Sequence, residues 1–408
     1  MNDSPLLLSA KDNELLGEAS RQDAMGVLAI WSVRGRDLVP HLTEQTTIVR
    51  GFQILVEAFR LWEFYERAHP EHAGRLDDFF VLIEQAFART VGWRDKDWQL
   101  PGTNRVRARS SDEPWISLQD SGWHLLGSQK ANGLWGLYRG ASSRAGLLRG
   151  DMTRLSAETM EHAVNTGING LAQASLFDTV QNAMDGKTAQ LPPDLNDQTN
   201  RAIYDTYWNL PLADHLHERL VEGYELNREL AGRLLKVEKL DHRTLLTTAA
   251  RDLPDHRATI ENAVRCEDLL AVLEAIFLWL CAGKGETLEA SVAELPIDLG
   301  ALRAAHTAFG RSGSYRVGTA SVRHRLFYER FDTSSNVAIA RSVLHLHEKV
   351  SDERNRSRWV WEQQGVLSSD MDVERPPERE LQVGIAWRND YYLAPLRSIA
   401  KQLAEVRG

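Results

Sequence analysis

Large apolar residues recur early in the chain with the spacing of an amphipathic helix. Between 46 and 69 they follow one another at intervals of three and four, at Ile48, Phe52, Leu55, Phe59 and Trp62. This spacing places them on one helical stripe. We therefore predict a helix over Thr46–His69, ended by Pro70, and a second one over Ala73–Val91. The short link between them favours an antiparallel pair.

Helical periodicity continues through most of the chain, whereas strand signals are short. The most apolar predicted helix runs from Leu253 to Ala282, and later ones cover Asn336–Glu353 and Leu393–Val406. Residues 105–109 alternate with a period of two, as a half-exposed strand does, and residues 359–368 suggest a hairpin. The predicted fold class is mainly α and multi-helical, with two or three packed helical domains and small β elements near 105–109 and 359–368.

Two breaks in the pattern divide the 408 residues into three predicted domains. A polar stretch around Pro192 and Pro193 separates an N-terminal helical domain, 1–190, from a central helical domain, 191–309. The glycine- and serine-rich stretch Gly310–Gly318 then opens a C-terminal α+β region, 310–408, which is basic.

Composition points to a reduced, cytoplasmic protein without a cofactor. The N-terminus has no basic segment of the kind that opens a signal peptide. The apolar run Leu269–Ala282 contains Glu274 and is shorter than the roughly 20 residues that a membrane span needs. Cys266 and Cys281 fall on one predicted helix, too far apart for a disulfide. Glycine-rich phosphate loops and nucleophile elbows are absent from the sequence, so we expect no cofactor.

Histidine spacing predicts no metal site. His215 and His217 are two residues apart, and so are His345 and His347. Ligands on one helix need a spacing of three or four to share a face. We therefore interpret both pairs as parts of solvated helix faces and predict no metal ligands.

Positive charge is concentrated near the C-terminus of a chain whose net charge is −9. From Arg303 to Arg358 there are eleven lysines and arginines against five acidic residues, with aromatic residues between them. A basic patch interleaved with aromatic residues can hold a nucleic-acid backbone. The residues predicted to bind nucleic acid are Arg316, Arg323, Arg325, Arg330, Arg354, Arg356 and Arg358. The alternative is that these arginines pair with acidic residues elsewhere in the chain or on a protein partner.

Two segments, 43–52 with the aromatic helix that follows it and 134–140, resemble parts of uncharacterised helical proteins encoded in bacterial anti-phage defence operons. Their sequences are TEQTTIVRGF and LWGLYRG. The likeness covers about a quarter of the chain and carries no motif of known chemistry, so it implies an assembly context and no site residue.

These observations lead to one hypothesis and two alternatives. We expect a non-catalytic binding or scaffolding subunit of a bacterial multi-protein assembly, with other subunits as partners, DNA contact through residues 303–358 and no contact with a membrane. One alternative is an enzyme of unrecognised type, most readily a nuclease. Arg341 and His347 have the Arg-to-His spacing of HEPN-type ribonucleases and would be its residues, although we predict no catalytic residue. The other alternative is a pure protein-interaction module.

Overall fold

The protein is mainly α-helical, as predicted. A computed structural model describes residues 23–164, 166–192, 197–313 and 318–407. Helices cover most of these residues, and the strands are short. In the described part of the chain, no helix is long and apolar enough to cross a membrane.

The helices of the first half of the chain range from one turn to five and a half. In chain order they are α1 (Leu28–Leu38), α2 (Val49–Ala68), α3 (Leu76–Arg94), α4 (Thr103–Ala108), α5 (Gln129–Asn132), α6 (Leu134–Arg144), α7 (Ala157–Ala163), α8 (Gly170–Met184) and α9 (Gln198–Asn209).

The second half of the chain contains the longest helix that the structure describes, α13 (Arg257–Ala282). The helices of this half are α10 (Ala213–His217), α11 (Glu225–Leu234), α12 (His242–Asp252), α13 (Arg257–Ala282), α14 (Leu288–Ala293), α15 (Leu299–Arg311), α16 (Thr319–Glu329), α17 (Asn336–Glu353) and α18 (Leu393–Arg407).

The described residues also form two small antiparallel sheets, three 3-10 turns (Pro70–His72, Pro254–His256 and Glu378–Leu381) and one π-helical turn (Glu218–Glu222). β1 (Trp115–Ile116) pairs with β2 (Ala189–Gln190), and β3 (Val360–Gln363) pairs with β4 (Val366–Ser369). The hairpin predicted over 359–368 is therefore confirmed. Its two-residue turn has positive φ at Gln364 and Gly365, which matches the right-handed twist of the strands.

The strand predicted at 105–109 is wrong, because these residues lie in α4 and the turn that follows it. Of the helix, only Val106 is buried, and it packs where Gly92 leaves space on α3. The alternating pattern of Arg105, Val106 and Arg107 is equally compatible with a single helical turn that buries one residue. In a segment this short, a strand with a period of two and a helix with a period of 3.6 produce almost the same pattern of apolar and polar residues.

The described chain forms two compact units, each discontinuous in sequence. The first comprises residues of Pro40–Lys236 together with 394–407, and the second comprises 23–39 together with Val237–Leu393.

The first unit is built on α2, which is buried along nearly its whole length. It contacts α3, α6, α7, α9 and α10. Phe52, Phe59 and Trp62 are fully or almost fully buried, as the helical stripe predicts. Gly51 allows α6 to approach closely, since a β-carbon there would lie 2.4 Å from the Tyr138 ring. The Tyr138 ring also packs edge-on against Phe52, with 5.0 Å between the ring centres.

A buried ion pair on α2 holds the loop that precedes α8. Arg60 donates to both carboxylate oxygens of Glu57, at 3.0 and 2.7 Å, and neither side chain is more than 1% exposed. Arg60 also donates to the Ile168 carbonyl oxygen and to Asn169 Oδ1, while the Ile168 N–H donates to Glu57. Every oxygen of this carboxylate is therefore occupied, which is the condition for burying a charge.

A second polar network lies on α3. Glu84 is fully buried and accepts hydrogen bonds from the Leu134 N–H at 2.9 Å and from Gln129 Nε2 at 3.0 Å. No cation lies within salt-bridge distance of it in the described residues, and burial raises the pKa of its carboxyl to about 7. Gln85, next in the chain, bonds the N–H and carbonyl oxygen of Ser117 and so holds β1 against α3.

The second unit is built on α13, whose packing partners lie on several sides. It contacts α1, α12, α15, α17 and β4. Cys266 and Cys281 lie on this helix, both buried and without a disulfide. Glu267 accepts hydrogen bonds from the backbone N–H groups of Arg388 and Asn389, and from the Tyr391 hydroxyl at 2.8 Å. It therefore fixes the segment before α18 to the central helix.

We expect Arg60→Met to destabilise the protein by about 3–5 kcal/mol, because it leaves the Glu57 carboxylate buried without its cation. Urea denaturation followed by circular dichroism measures this loss. Arg67→Met is the matched control on the same helix. Arg67 is mostly exposed and lies 3.8 Å from Glu63, so its loss should cost no more than about 1 kcal/mol. Equal losses in the two variants would contradict a structural role for the buried pair.

We expect Glu84→Gln to change how stability depends on pH. The native carboxyl keeps its proton up to about pH 7, whereas the unfolded chain releases it near the ordinary value of 4.5. The wild type therefore loses stability as pH rises through this window, and the amide variant lacks that loss. Relative to wild type, the variant should gain up to about 3 kcal/mol between pH 4.5 and pH 8. Denaturant unfolding at four pH values measures the difference, and a difference independent of pH would refute the assignment.

Candidate nucleic-acid interface

The basic window 303–358 falls within the second unit, on α15, α16, α17 and the turn after α17. Ser335 begins α17 by accepting a hydrogen bond from the Ala338 N–H, which fixes the faces that the helix exposes. Arg316, the first of the seven predicted binding residues, lies outside the described residues. The other six fall into two groups, which differ in whether an acidic residue already neutralises them.

Arg323 is a buried structural arginine. Only 4% of it is exposed, and its guanidinium forms an ion pair with Glu353 at the end of α17. The same guanidinium lies over Gly26, where a β-carbon would come within 2.7 Å of Nε. This side chain therefore ties α16 to α17 and lies against the segment before α1, and its guanidinium is too deeply buried to reach a ligand in solvent.

Arg354 and Arg358 are also paired with carboxylates of the second unit. Arg354 donates to the Asp23 carboxylate at 2.5 Å and to the Asp23 carbonyl oxygen at 2.7 Å. Arg358 lies 2.6 Å from Glu348 and 3.5 Å from Asp352 on α17. Both charges are thus largely neutralised within the unit.

Arg325, Arg330 and Arg356 are exposed and make no ion pair with any described residue. Two further cations of the window, Arg311 and Lys349, are also exposed and form no ion pair with any described residue. Among the five acidic residues of the window, Glu348, Asp352 and Glu353 are used in ion pairs. A net positive set therefore remains at the surface after internal pairing, although it is smaller than the sequence count indicates.

Apolar and aromatic side chains accompany one of these arginines on α16. Val322, Arg325 and Tyr328 recur at intervals of three, which puts them on one helix face. Val322 is 52% exposed and Tyr328 is 44% exposed. The Tyr328 ring is fixed from behind, because it packs over Gly310 and stands 5.5 Å from the His306 ring. An arginine beside a rigid, half-exposed ring can contact a phosphate while the ring stacks on a base or a sugar.

Arg341 and His347 do not form a common site. His347 is buried, its Nδ1 lies 2.9 Å from the Ala24 carbonyl oxygen, and its Nε2 accepts the Trp359 N–H at 2.8 Å. Arg341 lies on an exposed face of α17, where it reaches Glu289 and Glu362 at 3.3 and 3.4 Å. Both ring nitrogens of the histidine are occupied by backbone groups, so this geometry offers no free acid or base.

The two histidine pairs separate as their spacing predicts, but the interpretation of both pairs as parts of solvated helix faces is wrong for His215 and His347, which are buried. His217 lies 3.5 Å from Glu222, whereas His215 is buried and turns toward residues of α7. His345 is exposed and lies 3.6 Å from Glu348, whereas His347 is buried. Neither pair therefore offers two neighbouring ligands.

Sequence reasoning did not single out Lys349 and Arg311 as binding residues, although both belong to the basic window. The helical period of α17 could have identified Lys349, because it lies four residues after the exposed His345 and eight after Arg341. The pairing of Arg323 and Arg354 has no sequence signal, since their partners come from Glu353 and from Asp23, more than 300 residues upstream of Arg354.

Comparison of the chain with protein-family models, with curated proteins and with solved structures finds no match. The geometry of the described residues is therefore the basis of the functional argument.

Proposed function

We propose that this chain is a non-catalytic binding subunit of a multi-protein assembly and that it contacts the phosphate backbone of duplex DNA through the second unit. The contact residues are Arg325, Arg330 and Arg356, and Lys349 is a further exposed cation of the same unit. The resemblance to helical proteins of bacterial anti-phage defence operons supports the assembly context, in which the DNA would be foreign.

The observation that carries the proposal is the set of exposed cations left over after internal pairing. Arginines with carboxylate partners on this unit gain little from a phosphate, because the phosphate must compete with the partner. Arg325, Arg330 and Arg356 have no such competitor among the described residues. Counterion release from DNA then contributes favourable free energy for each phosphate that they neutralise.

The nuclease alternative has no support from the geometry of Arg341 and His347. The histidine nitrogens are held by backbone groups, and the arginine is held by two carboxylates. The protein-interaction alternative shares the same surface, because an acidic protein would also pair with unneutralised arginines. Salt dependence on a nucleic acid separates it from DNA binding.

We expect the triple variant Arg325→Ala/Arg330→Ala/Arg356→Ala to bind duplex DNA more weakly and with less salt dependence than wild type. Each lost phosphate contact should reduce the slope of log K against log salt by about 1. Fluorescence anisotropy of a short labelled duplex, titrated at several salt concentrations from about 50 to 200 mM, gives both quantities.

Arg341→Ala is the matched control, because this arginine is 55% exposed on the same unit but already neutralised. Its slope should stay close to that of wild type. If the wild type did not bind DNA at low salt, the proposal would be overturned. The alternative that these arginines bind a protein partner would then be favoured. An equal loss in the control and in the triple variant would show that general surface charge, and not this set, binds the DNA.

A further inference from the structure

A group of three potential metal ligands lies in the first unit, which contains none of the residues proposed to contact DNA. Glu158 and His162 are four residues apart on α7, so they share a face of that helix. His215 on α10 reaches the same place. One ligand atom from each of the three lies within 4.8 Å of the others.

The helix that carries two of these residues is fixed in register. Ser156 begins α7 and accepts a hydrogen bond from the Thr159 N–H at 3.2 Å. The Ser156 and Thr159 hydroxyls are 2.8 Å apart. The Thr159 hydroxyl in turn lies 3.0 Å from His215 Nε2 and so connects the two helices.

His215 is the buried member, and one of its ring nitrogens has no partner among the residues that the structure describes. Only 3% of the residue is exposed. Nε2 is bound to Thr159, whereas Nδ1 is buried and makes no hydrogen bond to any described residue. A buried polar atom without a partner costs free energy. When Nε2–H donates to the Thr159 hydroxyl, the lone pair of Nδ1 is left for a ligand, which is the usual arrangement of a metal-binding histidine.

The two imidazoles of the group lie against each other. His215 and His162 stack with 4.3 Å between their ring centres. Burial, together with His162 and Arg219, lowers the pKa of His215 to about 4.

We propose that Glu158, His162 and His215 form a binding site for a divalent transition metal ion of the Zn²⁺ type. Two imidazoles and one carboxylate are a ligand set that zinc uses when it keeps one position open for water or a substrate. Zinc holds such ligands at about 2.0–2.2 Å from the ion. The three ligand atoms must therefore move closer to one another by on the order of 1 Å to bind it together. Glu158 and His162 are exposed, so their side chains can rotate to do so without disturbing the core.

Arg219 sets the condition under which the metal binds. Its guanidinium forms an ion pair with the Glu158 carboxylate. A metal ion must therefore displace this cation from Glu158 or share the carboxylate with it. Removing the Arg219 charge should tighten metal binding, whereas an arginine of purely structural importance would have no such effect.

Calorimetric titration of the full, metal-free chain with Zn²⁺ tests the proposal. We expect one ion per chain. His162→Ala should raise the Kd roughly 10- to 100-fold or more, because losing even a residue that only hydrogen-bonds a metal ligand has an effect of that size. His162 is exposed, so this variant should stay folded, which circular dichroism verifies. His217→Ala is the matched control on α10, because this imidazole lies beside Glu222 and outside the group. It should bind Zn²⁺ as wild type does.

Two further readouts distinguish coordination from adventitious binding. Co²⁺ in place of Zn²⁺ should give visible d–d absorption that His215→Ala removes, and Arg219→Met should lower the Kd for Zn²⁺ by several-fold. No Zn²⁺ binding by wild type, or a Kd unchanged in His162→Ala, would overturn the site. Unchanged or weaker binding in Arg219→Met would overturn the competition. The DNA titration uses the other unit and different residues, so either proposal can fail alone.

Discussion

The burial of α2 and α13 on several sides is the constraint on which each unit depends. Where such a helix is enclosed, a polar side chain has no solvent to bond and needs a partner inside the fold. Glu57 on α2 is paired with Arg60 and with the backbone of Ile168. Glu267 on α13 accepts two backbone N–H groups and a tyrosine hydroxyl. In both cases the backbone groups that bond the buried carboxylate belong to a loop. The hydrogen bonds that the carboxylate needs therefore also fix the position of that loop.

The same requirement determines which arginines remain for a ligand. Arg323 lies too deep to be left unpaired, and its pairing with Glu353 closes α16 onto α17. Arg325, two residues later, points away from that contact and remains exposed. Neighbouring arginines on one helix thus have opposite uses, one stabilising the fold and one presenting charge. Arg325 retains its charge because no carboxylate among the described residues pairs with it.

Helices could be predicted from the sequence because their signal is local. The stripe from Ile48 to Trp62 and the cap at Ser335 each depend on residues a few positions apart, and Asn336–Glu353 is found with its predicted ends. Local signal fails where the segment is too short, as at α4, where one buried valine suits either a strand or a helical turn. It also cannot supply partners distant in sequence, such as Asp23 for Arg354. The three-domain division of the sequence stays a prediction.

The metal-ligand group shows most clearly what a local rule leaves out. Spacing excludes His215 and His217 as joint ligands, and the structure agrees, since they face different neighbours. That exclusion says nothing about a third residue from another helix. Glu158 and His162 have the spacing of two ligands on one helix face, but such pairs are common on charged helices. They become candidate metal ligands only because α10 brings His215 close to them. What distinguishes this pair is the buried, unpartnered Nδ1 of His215, a property that exists only after folding. For this group, the unsatisfied buried nitrogen points to a ligand in a way that residue spacing alone does not.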